Sequence, residues 1–373
     1  MKKSWLILAG LALAATPAMA QNKPRILSVD HHTSVVSAAP AALGRTMQLY
    51  LRERIRAGAK PDPAKLVLFV HGAGTPAEVS FDVPYSTYSW MAYLAEAGYD
   101  VFSVDMEGYG RSQRPAAFAD RCNLSNAQRE QHKAPADCKR SHEGGSTSLV
   151  SDWNGITAAV NYITRLRGGT KVSLVGWSQG GPRTGGWAAL NPQRVNRLVV
   201  LAPAYNRAAG QLPAAGAGRG AAPNIAAFNT QSEEEFTANW DRQAPCTGQY
   251  EPAAKQSVWR EMLASDPVGA KWTPAGRRAP VTAASASWTT DLVRNMKIPT
   301  LMAVGVHDGQ VNPQNVRNLY EDIGGDKAFV ELACSSHNAM WEKNHLLLFA
   351  ASREWLDKGT VNGQKNVMLK MGE

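Results

Sequence analysis

Six short, nearly continuous apolar runs alternate with longer stretches of helical spacing along this chain. They are "KLVLFV" (65–70), "DVFSVD" (100–105), "KVSLVG" (171–176), "RLVVLA" (197–202), "TLMAVG" (300–305) and "KAFVELA" (327–333). A strand that is apolar on both faces must be covered on both, which is the situation of parallel strands flanked by helices. Between the runs, "YSWMAYLAEAG", "SLVSDWNGITAAVNYITRLRGG" and "NPQNVRNLYEDIGG" keep the helical period and stop on glycine. Repeated βα units predict a mostly parallel sheet with helices on both sides. Upstream, "RILSV" and "TMQLYLRERI" are expected to pair as leading antiparallel strands.

Two stretches break the rhythm. Residues 112–147 separate a strand from its next helix and hold two cysteines. Residues 204–290 open with "AAGQLPAAGAGRGAAP", too poor in large apolar residues to pack tightly, and continue with the amphipathic candidates "EEEFTANWDRQ" and "SVWREMLASDP". This second stretch is expected to cap one end of the sheet behind a flexible entrance; the alternative is a surface insertion remote from any pocket. The expected organisation is a core in two parts, 21–203 and 291–373, with the cap over 204–290 between them.

Residues 1–20 read as a signal peptide. Lys2 and Lys3 precede the apolar "WLILAGLALAA", and "AMA" ends at Ala20 with the small-x-small cleavage pattern. That run is too short to span a bilayer, and no later segment reaches the ~20 apolar residues of a span. The mature chain is expected to begin at Gln21, periplasmic or secreted, with no integral membrane segment. In an oxidising compartment its four cysteines allow two disulfides in three connectivities. Cys122 and Cys138 bracket a polar loop whose closure is worth roughly 3 kcal/mol in the chain-entropy picture. Cys246 and Cys334 remain as the second pair; buried free thiols are the alternative. The net charge of +9 is scattered, with no run that fits nucleic acid and none that implies a protein partner.

The segment "KVSLVGWSQGGPRTG" (171–185) sets Ser178 between glycines directly after an apolar run and before the helix candidate "PRTGGWAALNP". G-x-S-x-G in that context is a nucleophile elbow, where a strained turn holds a hydroxyl clear of its surroundings. The bland reading is an ordinary turn. A serine hydroxyl needs a base, and the base an orienting acid. On this kind of sheet they should follow in the order Ser, acid, His, each just beyond a strand. Asp308 lies three residues past "TLMAVG" and His337 four past "KAFVELA". His307 is the nearest rival for the base, but it precedes the final expected strand. No carboxylate appears after "RLVVLAP" until Glu233.

The oxygen that becomes negative in such a reaction needs fixed N–H donors. "FVHGAGTP" after a strand offers the amide of Ala73, and Gln179 offers the second. His71 and Gly72 are expected to shape that loop, and "DMEGYGRS" (105–112) to form a tight turn, since it lacks P-loop spacing and a lysine. Trp177 either lines a substrate site or packs beside the elbow. Trp240, Trp259, Trp272 and Trp288 either form an aromatic lid or pack the cap. No Cys/His spacing suggests zinc, and neither a metal nor an organic cofactor is expected.

"HGAGTP", "DMEGYGRS", "GWSQGG", "GVHD" and "SSHNAMWE" fall in the order of the α/β-hydrolase superfamily, which the chain resembles over roughly 25–373. The resemblance implies an eight-stranded, mostly parallel sheet with helices on both faces and a cap inserted after the sixth strand. It makes Ser178 the nucleophile, Asp308 the acid and His337 the base. Serine at that position speaks against the superfamily's haloalkane dehalogenases and epoxide hydrolases, which use aspartate there. "HGAGTPAEVSFD" and "YSWMAYLAEAGYDVF" are similar to bacterial esterases that include monoalkyl phthalate hydrolases, from which no substrate is carried over. The expected activity is hydrolysis of a small-molecule carboxylic ester through an acyl-enzyme. Amide, peptide or lactone hydrolysis would use the same residues, and a ligand-binding protein on a retained fold is the alternative of another class.

Overall fold

A computed structural model describes residues 24–142, 144–207, 226–281 and 288–373. The expected signal peptide (1–20) and the alanine- and glycine-rich stretch expected as a cap entrance (208–223) lie outside the described residues. The strands, in chain order, are β1 (Ile26–Val36), β2 (Thr46–Arg56), β3 (Leu66–Val70), β4 (Asp100–Val104), β5 (Val172–Trp177) and β6 (Val195–Leu201), followed by β7 (Phe228–Ser232), β8 (Gly276–Pro280), β9 (Thr300–Gly305), β10 (Lys327–Leu332) and β11 (Val367–Met371). Nine of them form one sheet in the order β1-β2-β4-β3-β5-β6-β9-β10-β11. β1 and β2 pair antiparallel, as does β2 with β4, and every pairing from β4 onward is parallel.

The expectation of eight strands is corrected to nine. The extra one, β11, pairs with β10 at the sheet's edge. Its sequence, VMLKM, is half-buried and exposed in alternation, because an edge strand has only one neighbour to hide against. It therefore lacks the unbroken apolar run that marks β3, β4, β5 and β9, whose residues are all buried.

Side chains of one strand point alternately to the two faces, and the core follows that alternation. Val67 and Phe69 of β3 join one cluster, packed against the helices Trp90–Glu96 and His345–Lys358 through Trp90, Leu94, Phe349 and Trp355. Leu66, Leu68 and Val70 join the other, beneath the helices Leu149–Arg167, Gly180–Leu190 and Pro313–Asp322.

The insertion between β6 and β9 places the antiparallel pair β7–β8 around two helices, Glu233–Asp241 and Pro252–Ala264. Ser232 and Glu235 close a capping box at the start of the first helix. Phe236, Trp240, Val258, Trp259 and Met262 belong to the same buried cluster as Val175, Trp177 and Trp341. Ala227 and Phe228 form a smaller cluster with Ala117, Phe118 and Leu124 of the 112–147 stretch, so no cluster among the described residues belongs to the inserted segment alone. Trp240, Trp259 and Trp288 are all buried, and Trp288 packs with the opposite cluster. Packing is the use these indoles are put to.

Candidate active site

β5 ends at Trp177, and the next residue, Ser178, has φ of +56°. A non-glycine residue in that region carries strain on the order of 1–3 kcal/mol, so its surroundings must hold it there. Ser178 N–H donates to Leu201 O at 2.9 Å, and Ser178 O accepts from Gly181 N (3.0 Å) and Ala204 N (3.1 Å). The turn is thereby pinned to the end of β6. Its glycines make the crossing possible: a Cβ on Gly176 would lie 2.6 Å from Thr184 Oγ1, and one on Gly72 would lie 2.9 Å from the Cβ of Ser178. Pro182 sits in the first turn of the following helix, where a missing N–H costs nothing.

The loops after β9 and β10 carry the expected acid and base. His337 Nδ1 lies 2.9 Å from Asp308 Oδ2 and 3.1 Å from Oδ1, both side chains being buried. A carboxylate oxygen can only accept here, so Nδ1 carries the proton and Nε2 is left as the basic nitrogen. Asp308 Oδ1 also accepts from the amides of Gln310 (2.9 Å) and Val311 (2.8 Å), which fixes the carboxylate.

Ser178 and His337 line one cavity of about 100 Å³ together with Ala73, Trp177, Phe236 and Arg277. That is room for roughly three waters, or for a short acyl group. Gln179 directly follows the serine as the residue that opens the helix. Among the described residues neither the Ala73 nor the Gln179 N–H has a hydrogen-bond partner. Trp177 does two things: it lines the cavity, and its indole N–H donates to His337 O at 2.9 Å. The rival His307 is placed elsewhere, with Nε2 3.6 Å from Cys246 Sγ.

His71 is structural. Met106 N donates to its Nε2 (3.0 Å), so its Nδ1 carries the proton that bonds Gly72 O (2.7 Å). Burial holds this imidazole well below its usual pKa, with the Arg183 cation as the second cause. Arg183, wholly buried, pairs with Asp152 at 2.7 Å and donates to His71 O and Gly72 O at 3.0 and 3.2 Å. Asp105, in the turn 105–112, ties the Ala77 amide (2.7 Å) to that of Arg111 (2.9 Å).

The cysteines pair as Cys122–Cys138 and Cys246–Cys334, each with Cα atoms 5.7 Å apart. The second bridge joins the inserted segment to a residue three before His337. Cys246, His307 and Cys334 lie close enough to share an ion, but their sulfurs are bonded to each other. No helix among the described residues is long and apolar enough to cross a membrane.

Two residues at the site escaped the sequence reading. Glu342 is buried behind His337, where its carboxylate accepts from Ser336 N (2.7 Å), Trp240 Nε1 (2.8 Å) and the Ser336 hydroxyl. Burial raises its pKa. The "SSHNAMWE" segment contained it, but nothing in the spacing marked that carboxylate as buried. Arg277 of β8 donates to Asn229 Oδ1 (2.8 Å) and Gln231 Oε1 (3.2 Å), and burial pushes its guanidinium down to about 10.

The profile of the α/β-hydrolase fold family matches residues 65–344. The chain belongs to that family. Similar solved structures span nearly the whole of this hydrolase. A meta-cleavage product hydrolase from Pseudomonas fluorescens is 15% identical, with 88% of this chain and 98% of that one covered and a TM-score of 0.55. A serine hydrolase from the polyaromatic-hydrocarbon-degrading Cycloclasticus zankles is 15% identical over 88% and 98%, at a TM-score of 0.52. A thermophilic esterase from Thermogutta terrifontis is 16% identical over 88% and 99%, at 0.51. At these identities the hydrolase shares a fold with them. No curated protein sequence matches it significantly.

Proposed function

We propose that this α/β-hydrolase is an exported serine hydrolase that cleaves small carboxylic esters through an acyl-enzyme. The observation that carries the reading is the 2.9 Å approach of His337 Nδ1 to Asp308 beside a serine held at φ +56° in the same cavity. Ser178 Oγ attacks the carbonyl carbon while its proton passes to His337 Nε2, and the carbonyl π electrons move onto oxygen. The amides of Ala73 and Gln179 receive that oxyanion. As the carbonyl re-forms, the bond to the alcohol oxygen breaks, and the alcohol leaves with the proton held on Nε2. Water then repeats the two steps and releases the acid. Asp308 keeps the imidazole in the required tautomer throughout.

The cavity of about 100 Å³, walled by Trp177, Phe236 and Trp341, favours short acyl groups on alkyl or aryl alcohols. Residues 204–290 act as the cap in this reading. Labelling with a fluorophosphonate probe, alongside hydrolysis of aryl esters of increasing acyl length, tests it. Wild-type protein should label at Ser178, whereas Ser178→Ala should neither label nor turn over above a residue of about one part in a thousand or less. Unlabelled wild type, or hydrolysis that survives in Ser178→Ala, overturns the mechanism. N-terminal sequencing of the exported protein checks the start at Gln21.

A further inference from the structure

Partly buried Arg277 is out of keeping with the two buried arginines of this fold, Arg183 and Arg278. Arg183 pairs with Asp152, and the adjacent Arg278 pairs with Asp266, each at 2.7 Å. Arg277 has no carboxylate within ion-pair distance among the described residues. Its two terminal nitrogens donate to the neutral amides of Asn229 and Gln231, and its buried Nε has no partner. Outside the described residues the chain has one acid, Glu143; segments 208–225 and 282–287 have none. A cation with a buried Nε and no carboxylate in contact is costly to keep, and a fold that pairs its neighbour could have paired it.

Its position suggests why it stays unpaired. Arg277 lines the cavity that holds Ser178 and His337, and no acidic side chain lines that cavity with it. Its guanidinium packs against Gly74, whose φ is +81°. A Cβ there would lie 2.9 Å from Cζ and closer still to Nη2. Gly74 is the residue after Ala73, so the loop that presents the Ala73 amide has given up a side chain to admit a positive charge.

We propose that Arg277 supplies a fixed positive charge to the oxyanion site, acting with the Ala73 and Gln179 amides on the negative oxygen of the tetrahedral intermediate. The inference rests on the serine-hydrolase reading. The ground-state ester is neutral at its carbonyl oxygen and the intermediate is not, so a fixed cation beside that oxygen favours the second over the first. The asparagine and glutamine hold the guanidinium in place without neutralising it. In this arrangement β7 and β8 contribute to the chemistry as well as to coverage of the site.

The test compares wild type, Arg277→Lys and Arg277→Gln on an uncharged aryl ester, together with inhibition by an arylboronic acid, which becomes a tetrahedral anion on the serine. Removing the charge should lower kcat about 30-fold or more with little change in KM. Lysine should recover part of the loss. Across the three proteins the inhibition constant of the boronate should track kcat/KM. A merely structural arginine would move the melting temperature without that correlation.

Unchanged kcat in Arg277→Gln overturns the proposal, as does an equal loss in the lysine variant. A loss seen only as raised KM for anionic esters also overturns it, since the charge would then be reading the substrate. Should Arg277→Gln fail to fold, the wild-type comparison remains: the boronate must bind at least about tenfold more tightly than the isosteric neutral amide. Equal binding counts against the proposal. Fluorophosphonate labelling of wild type separates the two levels. No labelling sinks the serine mechanism itself, whereas labelling with an indifferent Arg277 sinks this inference alone.

Discussion

The indole N–H of Trp177 donates to the backbone oxygen of His337 at 2.9 Å, so the residue before Ser178 holds the backbone of His337. The bond spans the two loops whose separation governs proton transfer in the proposed mechanism. Trp177→Phe keeps most of the packing and deletes the bond. One neutral hydrogen bond is worth about 1 kcal/mol. Spent on alignment, it should appear as roughly a fivefold to tenfold fall in kcat, with a smaller change in KM. Steady-state kinetics on a short aryl ester checks this, and an unchanged kcat would mean the bond merely stabilises.

Gly72 packs directly against the Ser178 side chain. An added Cβ would meet Ser178 Cβ at 2.9 Å and the Trp177 carbonyl oxygen at 3.1 Å. Neither obstacle is a flexible side-chain end. Gly72→Ala is therefore expected to displace the elbow or the loop bearing Ala73, and a shift of about 1 Å can cost on the order of a hundredfold in rate. The reporter is the second-order rate of fluorophosphonate labelling, read beside a thermal melt. A normal labelling rate would show that the turn can yield harmlessly.

The two disulfides should differ in their consequences. Cys122–Cys138 closes a separation of 16 residues and Cys246–Cys334 one of 88. Chain entropy assigns them about 3 and about 4–5 kcal/mol respectively. The longer bridge also anchors the chain three residues before His337. The double variant Cys246→Ser, Cys334→Ser should lose both stability and kcat. Cys122→Ser with Cys138→Ser should lose stability with kcat retained to within about threefold. Urea unfolding and ester kinetics on both variants decide the matter, and equal losses of kcat would refute the distinction.

Glu107 lies buried in the 105–112 turn, with Ser37 Oγ donating to its Oε1 at 2.6 Å and Oε2 unpartnered. Burial raises its pKa to about 7, opposed by the Ser37 bond and reinforced by the charge of Asp152. The folded protein therefore keeps a proton that the unfolded chain has released, and stability falls as pH rises from about 4.5 to about 7. The total fall is on the order of 3 kcal/mol. Glu107→Gln lacks that proton equilibrium. Its stability relative to wild type should improve between pH 4.5 and pH 8, which urea melts at both values would measure. A difference independent of pH would rule out a neutral Glu107.

Much of this architecture could be read from the chain because parallel strands covered on both faces announce themselves as unbroken apolar runs. Ser178, Asp308 and His337, to which the proposal gives the roles of nucleophile, acid and base, were singled out for a related reason, as each follows such a run by a few residues. β11 was not, since one-sided pairing lets VMLKM alternate exposed and half-buried residues. Glu342 and Arg277 were not readable either. Their significance comes from what they are buried against, Ser336 and Trp240 for one and Gly74 for the other, across distances in sequence that no local pattern encodes. The tryptophans of the inserted segment were legible as apolar mass but ambiguous in use. Cavity walls fell instead to Phe236, Trp177 and Trp341.

Phe236 and Trp240 meet Trp341 at ring separations of 6.4 and 5.5 Å, and Trp341 in turn meets Trp177 at 5.3 Å. Anyone wishing to redesign selectivity by transplanting the roof from a homologue inherits this interlock. A graft of residues 226–281 alone would set foreign aromatics on a floor shaped for these ones. Successful chimeras will need to import the matching indoles from beside the serine and after the histidine as well.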